Sequence, residues 1–234
     1  FAFFFIGFAI KLPIWPFHTW LPDAHTDAPT AVSVMLAGVL LKMGGYGLLR
    51  INVSMFPDVA MDAAVPMAIL AVISILYGAM VTFRQSDLKR LVANSSVSHM
   101  GFVLLGISSI GATAGNLSPV GLTGAAMQMF SHGVVTGLLF VMVGVIYDKA
   151  HTRHIPDLGG LATRMPIAAV AFLVAGLAAL GLPGTSGFAA EIMIFFGTFP
   201  AHGVITALAT IGVLLAAGYI LWMVQRTLFG PQRE

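Results

Sequence analysis

Four ionisable side chains lie in strongly apolar surroundings, and these are the residues best suited to chemistry. Two lysines, Lys11 and Lys42, are followed along the chain by His132 and Glu191. Desolvation weakens the hold of a lysine on its proton and a nearby carboxylate strengthens it, so a lysine can load and release a proton when its partner moves. Histidine exchanges protons near neutral pH, and a partly desolvated glutamate remains titratable. Together these residue types predict a proton relay through an apolar bundle.

Each of these residues also has a structural interpretation. A buried lysine can form an ion pair that fixes helix packing, and Glu191 could cap a half-helix or act as the counter-ion of Lys42. His132 could be a hydrogen-bonded core residue, or a haem ligand paired with His99 across facing helices. A charge at mid-bilayer costs about 2.5 to 3.5 kcal/mol, and such residues usually face a polar pathway. The functional interpretation is therefore favoured for both lysines and for Glu191.

Four further polar residues are candidates for proton uptake. His18, Asp23 and His25 lie around the first polar connection, where a carboxylate could gather protons. The alternative is an interfacial turn with helix caps. His99 follows a serine-rich run, nearer the cytoplasmic end of its apolar segment. That context is typical of a hydrated uptake site, or of a polar cluster that satisfies backbone groups.

Composition identifies a membrane protein and excludes several classes of function. Of 234 residues, 58% are hydrophobic and 9% are charged, and the mean hydropathy is +0.95, whereas about a quarter of a soluble domain is charged. The absence of cysteine excludes disulfides, thiolate metal sites and iron–sulfur clusters in this chain. A net charge of +2 is too small for nucleic-acid binding. No nucleotide-binding or hydrolase motif occurs, and His151 and His154 lack a further metal ligand. The sequence therefore predicts no cofactor and no metal in this chain.

Membrane-spanning helices must position the four relay residues. Seven apolar stretches are long enough to cross a bilayer, at about residues 1–20, 29–50, 63–83, 91–111, 119–147, 166–199 and 203–227. The predicted fold is therefore an all-α polytopic membrane helix bundle of about seven spans.

Two of these helices are predicted to be discontinuous. Pro13 and Pro16 interrupt the first helix next to Lys11, and residues 181–187 (GLPGTSG) interrupt the sixth just before Glu191. Unwound backbone at membrane depth persists only where protein or a water-filled cavity satisfies its polar groups. Paired broken helices mark ion sites in transporters, so both breaks support an ion pathway.

Basic residues are distributed unevenly between the two predicted sides of the bilayer. One side of the bilayer has Arg50 as its single basic residue, and the other side has eight basic residues. By the positive-inside rule, the side with eight faces the cytoplasm or the equivalent compartment of an organelle. The residues on the second side are Arg84, Lys89, Arg90, Lys149, Arg153, Arg164, Arg226 and Arg233.

Four motifs resemble one family of membrane proteins. They are residues 8–25 (FAIKLPIWPFHTWLPDAH), 40–47 (LLKMGGYG), 95–102 (SSVSHMGF) and 182–184 (LPG). These motifs closely resemble the antiporter-like M-type subunits of proton-pumping NADH-quinone oxidoreductase, respiratory complex I. The resemblance extends along essentially the whole chain.

The resemblance implies a fold of two inverted five-helix repeats, each with one broken helix. Residues 1–50 would be the last two helices of the first repeat, and residues 51–234 the second repeat. The chain begins at Phe1 inside an apolar run, so we expect an internal piece of a longer polytopic protein. The family pattern also requires a glutamate on an earlier helix as the partner of Lys11.

The resemblance further implies a relay role for Lys11, Lys42, His132 and Glu191. In this family, electron transfer from NADH to quinone drives proton pumping, and NADH, FMN, iron–sulfur clusters and quinone would be bound elsewhere in the complex. The implied partners are the L-type and N-type antiporter-like subunits, the lipid bilayer and protons. The implied location is a bacterial plasma membrane, or an organellar inner or thylakoid membrane.

Three other functions remain open from the sequence. A subunit of a cation/proton antiporter or of a membrane-bound hydrogenase would share the fold and much of the lysine pattern. A b-type cytochrome would use His99 and His132 as haem ligands. A purely structural membrane-arm subunit would leave both buried lysines and Glu191 without a role.

Overall fold

The computed structural model describes residues 1–113, 116–117 and 119–231. Its helices are α1 (Ala2–Lys11), α2 (Trp20–Asp27), α3 (Thr30–Met35), α4 (Leu41–Gly47), α5 (Pro57–Asp62), α6 (Ala64–Phe83), α7 (Leu88–Ile107), α8 (Pro119–Ala150), α9 (Leu161–Arg164), α10 (Pro166–Ala179) and α11 (Ser186–Leu228). Two π-helical segments, π1 (Leu36–Leu40) and π2 (Leu48–Val53), make α3 and α4 parts of one continuous helix. The chain therefore forms the helical bundle that the sequence predicts.

Two short elements add to this bundle. A 3₁₀ turn occupies Ile155–Asp157. Strands β1 (Ile110–Thr113) and β2 (Asn116–Leu117) pair antiparallel between α7 and α8. This small hairpin lies outside the long apolar helices, and no pattern in the sequence predicts it.

Four of the described helices are long and apolar enough to cross a membrane. They are Thr30–Val53, Ala64–Phe83, Pro119–Ala150 and Ser186–Leu228. The apolar helices α1 and α10 are shorter, because each ends at a break. Helix α7 has 20 residues, but its serines and histidine lower its hydropathy. The membrane bundle is thus confirmed, and the count of seven spans is confirmed in part.

The first predicted break is present beside Lys11. Helix α1 ends at that residue and α2 begins only at Trp20. Pro13 and Pro16 stop the helix because proline lacks an amide hydrogen and clashes with the preceding turn. The indole Nε1–H of Trp20 donates to the carbonyl of Ile10 at 3.0 Å, which satisfies one of the carbonyls freed at the end of α1.

The connection expected at residues 20–29 is largely the short helix α2 instead. Pro22 lies in the first turn of this helix, where its missing amide hydrogen breaks no intrahelical bond. Asp23 also lies in the first turn, where a carboxylate is favoured by the helix dipole. A proline-containing segment whose residue types predict a turn can therefore also form the first turn of a helix.

The second predicted break is present at the predicted residues. Helix α10 ends at Ala179 and α11 begins at Ser186. Gly181 and Gly184 adopt φ values of +76° and +97°, which side chains rarely tolerate. The two glycines therefore let the backbone leave helical geometry between the two helices, over a segment with the length of a short loop.

The connection expected between the sixth and seventh spans is a kink inside α11. His202 has non-helical torsions of φ −136° and ψ 48°, two residues after Pro200. Proline removes a helical hydrogen bond and distorts the preceding turn, which explains the kink. The buried ring of His202 contacts the carbonyl of Ser108 through Nε2 at 2.9 Å.

Helix α7 lies at the centre of the bundle. Every residue from Leu91 to Ile107 is buried, and α2, α6, α8 and α11 pack around it. A Cβ atom at Gly78 of α6 would lie 2.7 Å from the backbone nitrogen of Ser98, so these helices approach closely. Because α7 is enclosed by protein, its serines and histidine form a polar core and do not face lipid.

The loops with basic residues meet at one end of the bundle. Arg153 Nε lies 2.6 Å from Asp87 Oδ2, and Arg90 Nη2 lies 3.0 Å from Asp23 Oδ1. The backbone amide of Leu88 also donates to the carbonyl of Arg153 at 3.0 Å. These contacts place the start of α2, the start of α7 and the loop after α8 on one side of the bundle. The charge distribution predicts this arrangement. Arg233 lies outside the described residues.

Candidate functional site

The central contact of the site joins Lys42 on α4 to His132 on α8. Lys42 Nζ lies 2.7 Å from His132 Nδ1 and also donates to the carbonyl of Ala37 in π1. A lysine ammonium can only donate, so Nδ1 accepts and the neutral imidazole carries its proton on Nε2. The His132 Nε2 atom is buried and has no hydrogen-bond partner among the described residues. A proton from Lys42 can therefore enter the ring on one side and leave it on the other.

Two glycines bring these helices close enough for that contact. A Cβ atom on Gly133 would lie 2.7 Å from the carbonyl oxygen of Gly38, and 3.7 Å from Cε of Lys42. Gly137, one turn further along α8, faces Val34 at 3.9 Å. The small residues at positions 133 and 137 therefore form a helix-packing face, as expected for residues four apart in a membrane helix.

His99 lies beside His132 and not near the cytoplasmic end of its helix. The two ring centroids are 5.4 Å apart, and His99 Nε2 lies 3.4 Å from the hydroxyl of Tyr219. The expected position nearer the cytoplasmic end is wrong, because α7 starts at Leu88 and places His99 past its midpoint. The structure groups His99 with the central residues.

Glu191 lies near the start of α11 and lines the same cavity as His132. Its side chain is buried, and a Cβ atom on Gly181 would lie 2.6 Å from its Oε2. The second helix break therefore covers the carboxylate directly. Ser131 Oγ and Ser186 Oγ are 2.8 Å apart and join α8 to the first residue of α11.

A narrow cavity connects these groups. It has a volume of about 10 Å³ and is lined by Ser95, His99, Gln128, Ser131, His132, Val135, Thr136, Ala178, Ala179, Gly187 and Glu191. A water molecule needs about 10 to 15 Å³ of such space, so the cavity has room for roughly one. The lining contains both central histidines and the carboxylate, which brings His132 and Glu191 into one polar compartment.

Lys11 is separate from this compartment. It is half-buried at the last residue of α1, where a cation is favoured by the helix dipole. Its amine makes no hydrogen bond or ion pair within the described part of the chain. The end of α1 packs on α4, since a Cβ atom on Gly44 would lie 2.7 Å from the amide of Leu12. The helices that carry Lys11 and Lys42 thus touch, while no direct contact joins the two amines.

A wide groove lies on the outer side of the Lys42 helix. It has a volume of about 650 Å³ and its walls are almost entirely apolar, with exposed side chains such as Met43, Tyr46 and Phe130. Lys42 is among the residues that line this groove, while its Nζ contacts His132. Lys42 therefore has polar partners where Nζ meets His132 and the Ala37 carbonyl, and apolar surroundings where it borders the groove.

The candidates for proton uptake occupy three different environments. His25 is fully buried on α2 and stacks on Phe140 with ring centroids 4.5 Å apart, and neither ring nitrogen has a partner in the described structure. His18 is buried against Tyr77 at 5.1 Å. Asp23 is exposed and paired with Arg90. The structure therefore does not bring these three together.

A cavity lies at the basic end, beside the last turn of α2. It has a volume of about 250 Å³, and Asp27, Lys89 and Arg153 are among the residues that line it. Lys89 Nζ donates to the carbonyl of Ala28 at 2.6 Å. A polar vestibule thus lies at the end of the short helix that carries His25.

Several polar residues of the compartment are not among the candidates that the sequence predicts. Gln128, Ser131 and Ser186 line it or bridge its helices, and Tyr219 touches His99. The serine-rich run before His99 signalled polar surroundings on α7. A single tyrosine or glutamine in an apolar helix does not predict a polar site from its sequence neighbours, because the residues that contact it lie on other helices.

The two histidines do not fit a haem. Their rings are 5.4 Å apart at an angle of 52°, and Lys42 and Tyr219 already occupy one nitrogen of each. The adjoining cavity is about 10 Å³, far too small for a porphyrin between two axial ligands. The geometry therefore disfavours the b-type cytochrome and favours proton exchange.

Comparisons with known proteins identify the family of this chain. Residues 1–216 match the family model described as NADH:quinone oxidoreductase/Mrp antiporter, TM. The NADH-quinone oxidoreductase subunit M of Rhodobacter capsulatus is 49% identical over 97% of this chain and 43% of its own length. The NAD(P)H-quinone oxidoreductase chain 4 2 of Synechococcus sp. (strain JA-3-3Ab) is 44% identical over 99% of this chain and 43% of its own length.

Solved structures show the same fold. A chain of respiratory complex I from Thermus thermophilus with bound NADH superposes with a TM-score of 0.90 at 35% identity, over 99% of this chain and 48% of that chain. A chain of the Mrp complex from Dietzia sp. DQ12-45-1b superposes with a TM-score of 0.89 at 25% identity, over 97% and 41%. The chain spans less than half the length of the proteins it matches. It is an integral membrane protein and belongs to the NADH:quinone oxidoreductase/Mrp antiporter transmembrane family.

Proposed function

We propose that the chain is the proton-conducting part of a membrane subunit of NADH-quinone oxidoreductase. Its task is to move protons across the bilayer while electrons pass from NADH to quinone in other subunits. Relatives named subunit M and chain 4 support this assignment. The observation that carries it is the buried contact between Lys42 and His132, next to a compartment that contains Glu191.

The proposed relay passes through four side chains. Lys11 at the first break supplies the proton to Lys42, which passes it to His132 and then towards Glu191 at the second break. A charge change in the neighbouring redox part is the trigger, and a carboxylate on an earlier helix, as in the family pattern, is the partner of Lys11. The role of this chain's residues is to hold a proton at Nζ of Lys42, transfer it through the His132 ring, and release it from the Glu191 carboxylate.

Proton uptake is proposed at the basic end. Asp23 and Asp27 are exposed on α2, and His25 on the same helix is buried. Its ring nitrogens are available to receive a proton. His18, which lies against Tyr77, is a second candidate on the side of α6.

The proposed partners and cofactors follow from the proposed complex. NADH, FMN, iron–sulfur clusters and quinone are bound by other subunits, and L-type and N-type antiporter-like subunits are neighbours in the membrane arm. We further propose that residues 1–50 end the first inverted repeat and residues 51–234 form the second.

Replacement of Lys42 tests this function. Lys42→Ala is introduced into the full-length parent protein, and NADH–quinone turnover and proton uptake are measured in inverted membranes. We expect both to fall about tenfold or more while the complex still assembles, because a positioned acid–base group contributes roughly 10²-fold or more. Arg84→Ala, which removes an exposed basic residue at the basic end, is the matched control. Normal turnover and uptake in Lys42→Ala would contradict the proposal.

A cation/proton antiporter subunit is the second candidate function. The similarity to the Mrp complex favours it over a membrane-bound hydrogenase subunit. Deletion of the full-length gene distinguishes the two candidates. Loss of membrane NADH–quinone turnover supports the oxidoreductase, whereas normal turnover with poor growth in high sodium supports the antiporter.

A further inference from the structure

An open apolar groove lies between α8 and α10, away from the central compartment. It has a volume of about 430 Å³, within the range of roughly 300 to 1,000 Å³ that is usual for ligand sites. Met142 and Val145 of α8 line one wall, and apolar residues between positions 165 and 171 line the other. Ile167 in the second wall is 87% exposed. The part of the chain that the structure describes therefore leaves this apolar surface uncovered.

Two basic residues adjoin the walls of this groove. Lys149 lies on the same face of α8 as Met142 and Val145, because residues three, four and seven positions apart share a helix face. Arg164 directly precedes Met165, the first residue of the other wall. Both basic residues are exposed, and neither forms a hydrogen bond or an ion pair within the described residues. Each wall of the apolar groove thus continues into a cation that lacks a described protein partner.

The acidic residue nearest to these cations in the sequence is Asp148. At 3.6 residues per turn, its position lies about 90° around α8 from the midpoint of Met142 and Val145, whereas Lys149 lies within about 10° of that midpoint. The face of α8 that borders the groove therefore ends in the lysine and not in the carboxylate.

An anionic phospholipid has the chemistry that matches both parts of this surface. Its acyl chain is apolar, as the walls of the groove are, and its phosphate pairs favourably with lysine and arginine. By the positive-inside rule, the basic side of the bundle faces the leaflet whose anionic lipids create a negative surface potential. Basic pockets between membrane helices on that side bind lipid headgroups in other membrane proteins. A zwitterionic lipid would fill the groove but would offer the two cations no net charge.

We propose that the groove between α8 and α10 binds an anionic phospholipid, with its acyl chain along the apolar walls and its phosphate between Lys149 and Arg164. The bound lipid covers exposed apolar surface such as Ile167 and supplies a counter-ion to both basic residues. This inference goes beyond the proposed function, and it does not depend on proton transfer through the central compartment.

Photo-crosslinking of the full-length protein, assembled in its complex, tests this site. The complex is reconstituted in phosphatidylcholine vesicles that contain phosphatidylglycerol with a photoreactive diazirine in one acyl chain, and labelled peptides are mapped by mass spectrometry. The same diazirine on phosphatidylcholine is the reference probe. We expect phosphatidylglycerol to label residues 142–145 and 165–171 about tenfold more strongly or more, because each basic residue near an anionic surface adds about fivefold to the affinity.

Substitution of the two cations separates headgroup recognition from simple contact with lipid. The double substitution Lys149→Gln and Arg164→Gln is expected to lower phosphatidylglycerol labelling to the phosphatidylcholine level. The charge-preserving pair Lys149→Arg and Arg164→Lys is expected to retain the preference. Arg84→Gln is the matched control, because it removes an exposed cation from the same side of the bundle at a residue that does not line the groove.

Three results would overturn the proposal. They are equal labelling by the two probes, a preference that persists when both cations are glutamine, and a groove that neither probe labels. The last result would show that another chain of the complex covers the groove. Lys42→Ala, measured in the same preparations, is expected to keep the lipid preference, so failure of the proposed function and failure of this inference are distinguishable.

Discussion

Lys42 Nζ lies 2.7 Å from His132 Nδ1, although 90 positions separate the two residues in the sequence. The contact uses Nδ1 of the imidazole, and the other nitrogen, Nε2, is buried without a hydrogen-bond partner among the residues that the structure describes. A second bond from Nζ to the carbonyl of Ala37 fixes the amine in the π1 segment. A π-helical segment of this kind is frequent at functional sites, because it displaces a carbonyl from its usual partner.

The acceptor and the transfer functions of His132 can be separated by substitution. His132→Asn keeps an acceptor near the position of Nδ1, so Lys42 retains a partner, but an amide does not exchange protons near neutral pH. We expect the complex to assemble and proton uptake in inverted membranes to fall about tenfold or more. His132→Ala removes the acceptor as well and is expected to reduce assembly too. Normal pumping by His132→Asn would contradict a transfer role for this ring.

Gly133→Ala is expected to disrupt the contact between π1 and α8. Its Cβ would lie 2.7 Å from the backbone oxygen of Gly38, so the two helices must separate and Lys42 must move away from His132. We expect the amount of assembled complex and the rate of proton uptake to fall about threefold or more, since overpacking costs about 1 to 3 kcal/mol. Gly7→Ala is the control, because nothing lies within 4 Å of its Cβ. Equal behaviour of the two variants would show that close packing at Gly133 is unimportant.

Gly181→Ala and Gly184→Ala form a matched pair at the second break. Both positions have positive φ, so both substitutions strain the backbone by roughly 1 kcal/mol or more. Only at position 181 would the Cβ meet Oε2 of Glu191, at 2.6 Å; nothing lies within 4 Å at position 184. We expect Gly181→Ala to lower proton uptake per assembled complex about tenfold and Gly184→Ala to lower assembly alone. The ratio of uptake to assembled protein, determined for each variant, checks this difference.

Replacement of Asp87 by alanine is expected to destabilise the basic end more than replacement of Asp23. Asp87 accepts from the amide of Arg90 as the N-cap of α7 and pairs with Arg153 at 2.6 Å, where both side chains are mostly buried. Asp23 forms only an exposed ion pair. We expect Asp87→Ala to lower the free energy of unfolding by about 1 to 3 kcal/mol, and Asp23→Ala by less than about 1 kcal/mol.

The midpoint of heat denaturation of the detergent-solubilised full-length protein measures this difference. A larger shift for Asp23→Ala than for Asp87→Ala would contradict the importance of the cap and the half-buried pair. Each variant is compared with the unmodified protein at the same detergent and salt concentration, because salt screens the exposed pair more strongly.

Local sequence was sufficient to predict the helix breaks beside Lys11 and Glu191. Prolines remove backbone donors, and glycines adopt torsions that other residues avoid, so these effects act within a few residues. The long apolar helices and the basic side of the bundle follow similarly from composition and charge. The position of α2 and the kink at His202 were predicted less well, since proline permits both a turn and a helix start.

Residue types by themselves predicted which groups of this protein carry protons, and they determined that a bilayer surrounds the chain. Only the tertiary structure decided which of those groups meet: Lys42 reaches His132 because Gly133 admits the Gly38 carbonyl, and His99 joins them because α7 is enclosed on every side. The tertiary structure also places Asp23 in an exposed ion pair with Arg90 and brings the hydroxyl of Tyr219 next to His99. The physical reason is that contacts between helices depend on their rotation, register and closest approach, which no single apolar segment encodes.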